Sequence, residues 1–508
     1  MDNTRQFESL DPSGQTPRPE PCLLVVFGSR GDLARKKLWP ALYNLALDQL
    51  LPEPFAIIGL GRHPYSPEEF LQAVHDDIAQ NSRRPLDEQY WEPFARQLSY
   101  FSGDFEHADT YQSLAAELDK SAQAHGVGKN RAFYLALPAS VVPPILGHLQ
   151  ETGLFHRPVP DYWLRAVFEK PFGHNLESAC ELNEQIAAIL DESQVYRIDH
   201  YLAKENVQNL LVFRFGNSLY ESVWNREHID NVQITMAEDM GVGSRGAFYE
   251  ETGVIRDVVQ NHLLQLLSLV GMESPLSYAA DAIRDEKVRV LDAVHLMTPE
   301  EVWRDTVRGQ CANYRAEKNV APDSVTPTYA ALTLYIDNPR WKGVPFYIRA
   351  GKCLPKRQTE IIIQFHAAPI CLFGDESICR KMEPNLLTLR IQPHEGISFS
   401  YMMKPPGPAM DAQRAVMKFC YLCDLGYKPP DAYERLILNI FQGDQTLFVR
   451  RDAVETQWRV VMPILQAWES TPPDDFPNYA PGMWGPPAAD DLLNREGRRW
   501  WLGADPTK

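Results

Sequence analysis

The residues best suited to chemistry sit in the run Arg197-Ile198-Asp199-His200-Tyr201-Leu202-Ala203-Lys204-Glu205. Read as a strand end entering a helix, the spacing puts His200 and Lys204 at i and i+4, on one face. With Tyr201 beside them, that end of the helix can hold a dianionic phosphate. Asp199 stands just before, where it caps the helix or reaches across a cleft to orient a histidine. The same spacing also reads as a capped helix with an exposed charged turn. His262 is a lone polar side chain among apolar ones in VVQNHLLQLLSLV, and by itself reads as a satisfied core histidine. Asp257 precedes it by five residues, about 140° around an α-helix, so the two do not share an α-helical face. Either Asp257 lies in the first turn at a cleft edge or the helix begins after it.

A second centre lies near the N-terminus. The apolar run LLVVFG (23–28) is followed by Gly28-Ser29-Arg30-Gly31-Asp32-Leu33-Ala34, a G-x-x-G-x-x-A relative of the dinucleotide fingerprint. Gly28 permits a tight turn, Gly31 lets backbone approach a pyrophosphate, and Ala34 allows helix to pack on strand, with the helix N-terminus facing the anion. A strand-turn-helix with two glycines is common, so the end of the next strand decides the reading. NAD-selective sites place a carboxylate there for the ribose 2′-hydroxyl. Here the residues are Gly59-Leu60-Gly61-Arg62-His63. Arg62 can grip a 2′-phosphate, and Arg30 can meet it from the other side, which favours NADP. Surface arginines in solvent are the alternative.

The elements that must position these groups change character along the chain. At 508 residues, two or three domains are expected. Strands at 23–28, 55–60, 131–138, 162–173 and 195–199 alternate with helical stretches near 108–122, 141–151 and 175–191. This is the grammar of a doubly wound, Rossmann-like parallel sheet with ligands at the carboxyl ends of its strands. Beyond about residue 200, NVQITMAE, TYAALTLYID, VPFYIRAG, TEIIIQFH and LLTLRIQP are strands without regular helical crossovers, implying a larger α+β domain with a mainly antiparallel sheet. Val254 to Met272 reads as a long apolar helix, and the Pro-rich STPPDDFPNYAPGMWGPPAADDLL as a surface wrap. The expected division is a disordered leader over 1–20, a nucleotide-binding domain over 21–200 and a substrate and oligomerisation domain over 201–508.

Composition narrows the function classes. With 44% hydrophobic and 23% charged residues the chain is globular in type. No apolar run reaches the roughly 18 residues of a membrane span, and the N-terminus has no signal-peptide core. The net charge of −17 argues against nucleic acid or an anionic membrane as partner. Any phosphate ligand must therefore be held by local cations and helix N-termini. Eight scattered cysteines, with Cys420 and Cys423 as the one C-x-x-C, read as thiols of a reducing cytoplasm rather than a disulfide framework or a zinc site.

Several segments in collinear order resemble the glucose-6-phosphate dehydrogenase family. Arg197 to Glu205 resembles its R-I-D-H-Y-L-G-K-E signature, with Ala203 where Gly is usual. GSRGDLARKKLWPAL (28–42) is similar to its nucleotide loop, with Ser29-Arg30 in place of the commoner Ala-Ser. EKPFG (169–173), RGAFYEETGVIRDVVQNHLLQ (245–265), RAGKCLPKRQTEI (349–361) and the WGPPAADDLL tail (484–493) follow. The resemblance covers about residues 22 to 500.

The resemblance implies roles residue by residue. His262 matches the general base that removes the C1 hydroxyl proton, and Asp199 the carboxylate bonded to it. His200, Tyr201 and Lys204 match phosphate contacts. Glu238 and Asp257 match residues that hold sugar hydroxyls. Lys352 and Arg357 match later substrate contacts, and Lys170 matches a residue near both nicotinamide and sugar, followed by Pro171 as a cis peptide. Gly28, Ser29, Arg30, Gly31, Asp32, Leu33 and Arg62 are the implied NADP contacts. Glucose 6-phosphate and NADP are the implied ligands, with no metal, and a homodimer or homotetramer is the implied assembly. The chemistry agrees. Hydride leaves C1 of a hemiacetal only as the hydroxyl proton is lost, and a histidine with a pKa near 6.5 suits that transfer near neutrality. A buried carboxylate fixes its tautomer and stabilises the imidazolium. An NAD-preferring sugar-phosphate dehydrogenase and a catalytically silent NADP-binding regulator are the alternatives. The latter predicts damage to the Asp199/His262 pair, and both residues are present.

Overall fold

The computed structural model describes residues 14, 16–373, 376–408, 410–425 and 429–503. The expected leader over 1–20 falls largely on residues 1–13 and 15, outside that set. The chain divides into two units. The first joins residues 1–204 to 276–284 and 429–455, and the second comprises 205–275, 285–428 and 456–508. Two later segments thus join the first unit, where the sequence leads to a continuous 21–200 domain.

The first unit is built on parallel strands β1 (Cys22–Phe27), β2 (Phe55–Gly61), β3 (Leu98–Ser102), β4 (Arg131–Leu135), β5 (Leu164–Phe168) and β6 (Val195–Ile198), in the order β6-β5-β4-β1-β2-β3. A short antiparallel strand, Phe448–Val449, closes the β6 edge. Every residue of β1 and β2 is buried, as expected of central parallel strands covered on both faces. Helices Ala108–His125, Val142–Glu151 and Leu176–Ile189 lie where the sequence places them and share one core with β1, β2, β4 and β5. The strand expected over 162–173 ends at Phe168, and Glu169 onwards is loop, with a cis peptide at Lys170–Pro171. The returning segment is tied in by charge. Arg83 grips the fully buried Glu434 through two bonds of 2.7 and 2.9 Å, and Asn44 adds a third at 3.0 Å. Arg165 caps the last carbonyls of helix Ala432–Gln442, those of Ile440 and Phe441.

In the second unit, β7 (Ile229–Ala237), β8 (Thr306–Gly309), β9 (Tyr329–Leu334), β10 (Phe346–Gly351), β11 (Gln358–Phe365), β12 (Leu386–Gln392), β13 (Gly396–Met403) and β14 (Gln413–Cys420) form a sheet ordered β14-β13-β12-β11-β7-β10-β9-β8. Its pairings are antiparallel except β7 with β10. The helix expected over 254–272 runs from Ile255 to Gly271 but opens with a π-helix, Ile255–Leu263. The Pro-rich tail does more than wrap the surface. Tyr479, Ala489, Leu492 and Leu493 are buried in one cluster with Tyr329 and Tyr347, and Tyr479 bridges to Cys311. Two cysteines depart from the all-thiol expectation: Cys371 and Cys379 are disulfide-bonded, while six others are free. Among the described residues no helix is long and apolar enough to cross a membrane.

Candidate active site

In the first unit the candidate residues collect at the carboxyl ends of the parallel strands, where open α/β sheets bind ligands. Gly28 follows β1 with φ of 73°, and a Cβ there would lie 2.5 Å from the Ala136 carbonyl oxygen beyond β4. Its N–H and that of Ser29 both donate to the Leu60 carbonyl of β2, at 3.0 and 3.1 Å. The turn closes with Gly31 N–H donating to Gly28 O at 2.8 Å, and Trp39 Nε1 bonds Ser29 O at 2.9 Å. Ser29 is fully buried and its Oγ has no hydrogen-bond partner among the described residues. A glycine cradle with an orphaned hydroxyl beneath it fits a phosphate-bearing nucleotide. Asp32 is exposed and pairs with Lys36, and Leu33 leads into a short π-helix, Ala34–Leu38.

The two arginines differ. Arg30 is ion-paired with Asp77, a residue it shares with Arg35, and lies over the Tyr65 ring at 5.9 Å. Arg62 is exposed at the end of β2 and has no ion-pair partner among the described residues. Asp77 was invisible to motif reading because it lies midway along helix Pro67–Asn81.

Beyond β6, residues 200–204 are turns rather than helix, and the helix begins at Glu205. The i, i+4 argument for His200 and Lys204 is therefore corrected. Asp199 Oδ1 accepts the Tyr201 N–H at 3.0 Å, and i to i+3 bonds from Leu202 to Asp199 and from Lys204 to Tyr201 tighten the segment. The short side chain of Asp199 competes with the helix for that backbone donor. Lys204 Nζ stands 5.3 Å from the Tyr201 ring centre, and the His200 ring stacks on Tyr433 at 6.3 Å and 15°. Tyr433 comes from the returning segment, and no local pattern signals it.

Tyr433 also bonds Glu169, which precedes Lys170 and takes a second bond from Tyr134 Oη at 2.6 Å. Burial pushes the Glu169 carboxyl up to about 7, against the downward pull of the Tyr134 and Tyr433 hydrogen bonds and the Lys170 ammonium. The unfolded carboxyl loses its proton near 4.5. Between these values the native state holds a proton that the unfolded chain has released, so this group's contribution to stability falls as pH rises and levels off above about 7. Glu169→Gln keeps the shape without the ionisation. Its stability relative to wild type should therefore rise from pH 5 to pH 7 by at most about 3 kcal/mol and then stay level. Denaturant unfolding across that range checks it, and a pH-independent difference would remove Glu169 from the account.

The second unit assembles a different group. The single parallel pairing sets Ala237 of β7 against Gly351 of β10, so the strands end together and release Glu238 and Lys352 side by side. Their side chains form an ion pair, and Lys352 Nζ lies 3.6 Å from Asp257 Oδ2. Arg245 reaches the other oxygen of Asp257 at 3.7 Å. Tyr249, buried beside Lys352, has its phenol pushed well up, by burial first and then by the charges of Asp257 and Glu238. Arg357 lies at the same end of these strands, one residue before Gln358, which pairs with Ala237, and it is exposed.

His262 is buried on the π-helix with Asp257. Gly253, at φ of 55°, breaks the preceding helix, and Val254 N–H donates instead to Pro327 O. Asn261 then takes the His262 N–H on Oδ1 at 2.7 Å and donates Nδ2 to Arg256 O at 3.0 Å. That side chain satisfies backbone groups that the wider turn leaves open. Because a π-helix bonds i to i+5, Asp257 and His262 fall on nearly the same side, which an α-helix would not allow. Within the second unit the structure groups Glu238 and Lys352 beside Asp257 of the His262 helix, and within the first it gathers Asp199, His200, Tyr201, Lys204 and Lys170.

Comparison with known proteins gives the family. Residues 25–209 match the family profile described as the glucose-6-phosphate dehydrogenase NAD binding domain, and residues 211–501 match the profile of that enzyme's C-terminal domain. The chain is 42% identical over 490 residues to glucose-6-phosphate 1-dehydrogenase 2 of Mycobacterium tuberculosis, covering 94% of each chain. It is 39% identical over 490 residues to glucose-6-phosphate 1-dehydrogenase of Bacillus subtilis, covering 94% of this chain and 98% of the relative. A solved glucose-6-phosphate dehydrogenase in complex with its substrate glucose-6-phosphate superposes with a TM-score of 0.86 at 34% identity, covering 96% of this chain and all of the other. The chain belongs to the glucose-6-phosphate dehydrogenase family, in its bacterial form.

Proposed function

We propose that this chain oxidises D-glucose 6-phosphate at C1 to 6-phospho-D-glucono-1,5-lactone with NADP as acceptor, the first oxidative step of the pentose phosphate pathway. The observation that carries this reading is the set Glu238, Lys352 and Asp257 held beside the buried His262 helix. Carboxylates and an ammonium at the ends of adjacent strands suit a polyhydroxylated sugar, and a histidine on the same helix as Asp257 suits removal of a hydroxyl proton.

NADP, when bound, takes the hydride that leaves C1. His262 removes the C1 hydroxyl proton in the same step, and Asp199 orients its imidazole and stabilises the imidazolium. His200, Tyr201 and Lys204 hold the sugar's phosphate. Glu238 and Asp257 accept from sugar hydroxyls, while Lys352 and Arg357 donate to the substrate. Lys170 stands between sugar and nicotinamide. Gly28 to Leu33 cradle the pyrophosphate. Since Arg30 is engaged with Asp77, Arg62 is the cation that reads the 2′-phosphate. Residues 21–200 carry the nucleotide together with Lys170 and His200 for the sugar phosphate, residues from 201 onward supply the other sugar contacts, and the protein works in the cytoplasm as a homodimer or homotetramer.

Arg62→Ala should raise KM for NADP by about 10- to 100-fold, the loss of one charge-assisted contact of roughly 1.5–3 kcal/mol, and leave KM for NAD nearly unchanged. Steady-state kinetics with both cofactors checks it, and equal effects would mean that Arg62 does not read the phosphate. The substrate reading is tested by turnover with glucose 6-phosphate against unphosphorylated glucose. It expects strong preference for the former, and comparable kcat/KM values would count against the phosphate contacts.

A further inference from the structure

Next to Lys352 stands a thiol pair that the sugar chemistry does not use. Cys353 and Cys311 come from segments 42 residues apart in sequence, and the fold brings them together through two shared anchors. Thr328 takes the Cys311 N–H on Oγ1 at 2.8 Å and the Lys352 N–H on its carbonyl at 3.0 Å. Tyr479 Oη bonds that same Thr328 Oγ1 at 2.7 Å and donates to the Lys352 carbonyl at 2.9 Å. Cys353 packs against the buried cluster that holds Cys311, close enough for its thiol to act on the Cys311 thiol. Both are free thiols; Cys311 is buried and Cys353 is half-buried, so Cys353 is reachable from solvent.

We propose that Cys311 and Cys353 are a redox modification site, oxidised by peroxide to a disulfide that displaces Lys352 from the sugar. The displacement rests on the reading of Lys352 as a substrate contact; formation of the bond does not. One feature of the pair suits the step. The contact with Cys353 pulls the Cys311 thiol down to about 7, so the pair holds a shared thiolate near neutrality. The Cys353 proton passes to the Cys311 thiolate, and the Cys353 thiolate, which solvent reaches, attacks one oxygen of hydrogen peroxide. The O–O bond breaks, hydroxide leaves to become water, and Cys353 is a sulfenic acid. The Cys311 thiolate, its proton given to the first hydroxide, then attacks the Cys353 sulfur; the S–O bond breaks, and the departing hydroxide takes a proton from solvent to become a second water. Two thiols have lost two electrons to one peroxide, and a dithiol reverses the reaction by exchange.

The bond draws the sulfurs to about 2.05 Å, and the peptide beside them has little slack. Cys353 already sits at φ of 54°, with its N–H on Met240 O at 3.1 Å and its carbonyl on Gly482 N–H at 2.8 Å. Lys352 is held at both its N–H and its carbonyl by Thr328 and Tyr479. Shortening the contact between the sulfurs strains these anchors and moves the ammonium away from Glu238 and Asp257. A displacement of about 1 Å in a positioning group costs on the order of 100-fold.

The full-length protein treated with hydrogen peroxide, alkylated without reduction and digested should yield a peptide cross-linked through Cys311 and Cys353. Its kcat/KM for glucose 6-phosphate should fall at least about 10-fold and return on treatment with dithiothreitol. Cys311→Ala should keep untreated activity and resist the loss, and Cys353→Ala serves equally if the first variant folds poorly. Three outcomes overturn the proposal: no such cross-link, a cross-link confined to Cys420 and Cys423, or the same loss in both alanine variants. A Cys311–Cys353 cross-link without loss of activity overturns the displacement. Lys352→Ala with unaltered KM and kcat would instead sink the reading of Lys352, whatever the cross-link shows.

Discussion

Replacing His262 with asparagine is expected to lower kcat for glucose 6-phosphate oxidation by about 10²–10⁴-fold, the range a positioned general base contributes. Asparagine retains a polar group of similar reach but cannot accept the proton. The substitution is small enough for the site, since His262 is held through its backbone N–H by Asn261 and lies on a π-helix whose wide turn is satisfied by that neighbour. NADP affinity, which depends on the Gly28 turn and Arg62, should be nearly unchanged. Single-turnover kinetics and a cofactor titration separate the two. A variant that turns over like wild type would take His262 out of the mechanism, and one that loses NADP binding as well would point to misfolding instead.

The second large effect is expected at Lys352. Its ammonium is the cation between Glu238 and Asp257, and its side chain is about 10% exposed. Asp257 is buried while Glu238 is 40% exposed, so the cost comes mainly from Asp257 left unpaired, within the roughly 2–5 kcal/mol typical of truncating one partner of a desolvated pair. Lys352→Ala should therefore lower kcat/KM for glucose 6-phosphate by about 10²- to 10³-fold. KM for NADP should not follow, because the nucleotide turn belongs to the other unit. A fall confined to stability, with kcat/KM restored under conditions where the variant is folded, would make Lys352 a structural residue only.

What the sequence could and could not reveal follows from the range of each interaction. The Gly28 turn was legible because its constraint is local: a positive φ and a neighbouring carbonyl at 2.5 Å from any Cβ exclude other residues. Arg62 was legible because it occupies one position after a strand. Residues 200–204 were misread because charged residues at helical spacing suggest a helix, whereas Asp199 diverts the Tyr201 N–H into a turn. The π-helix at 255–263 could not be told from an α-helix by apolar pattern, although the awkward five-residue spacing of Asp257 and His262 was its trace. Strand β13 alternates polar and apolar residues as a strand should, yet the faces are reversed. The buried face of β13 carries Gly396, Ser398 and Ser400, while Ile397, Phe399 and Tyr401 are only partly covered, the reverse of the usual alternation. Tyr433, Asp77 and Cys311 were beyond reach, because their importance arises only from partners brought in by tertiary structure. Glu169 lay within a quoted motif, yet its shifted carboxyl depends on Tyr433 from the returning segment.

The central claim is tested most directly by following reduced nicotinamide in absorbance, with purified protein, glucose 6-phosphate, and NADP or NAD in parallel. Rapid reduction that favours NADP is the predicted result. Folded protein that binds NADP but reduces neither cofactor would contradict the account and leave a silent nucleotide-binding regulator in its place.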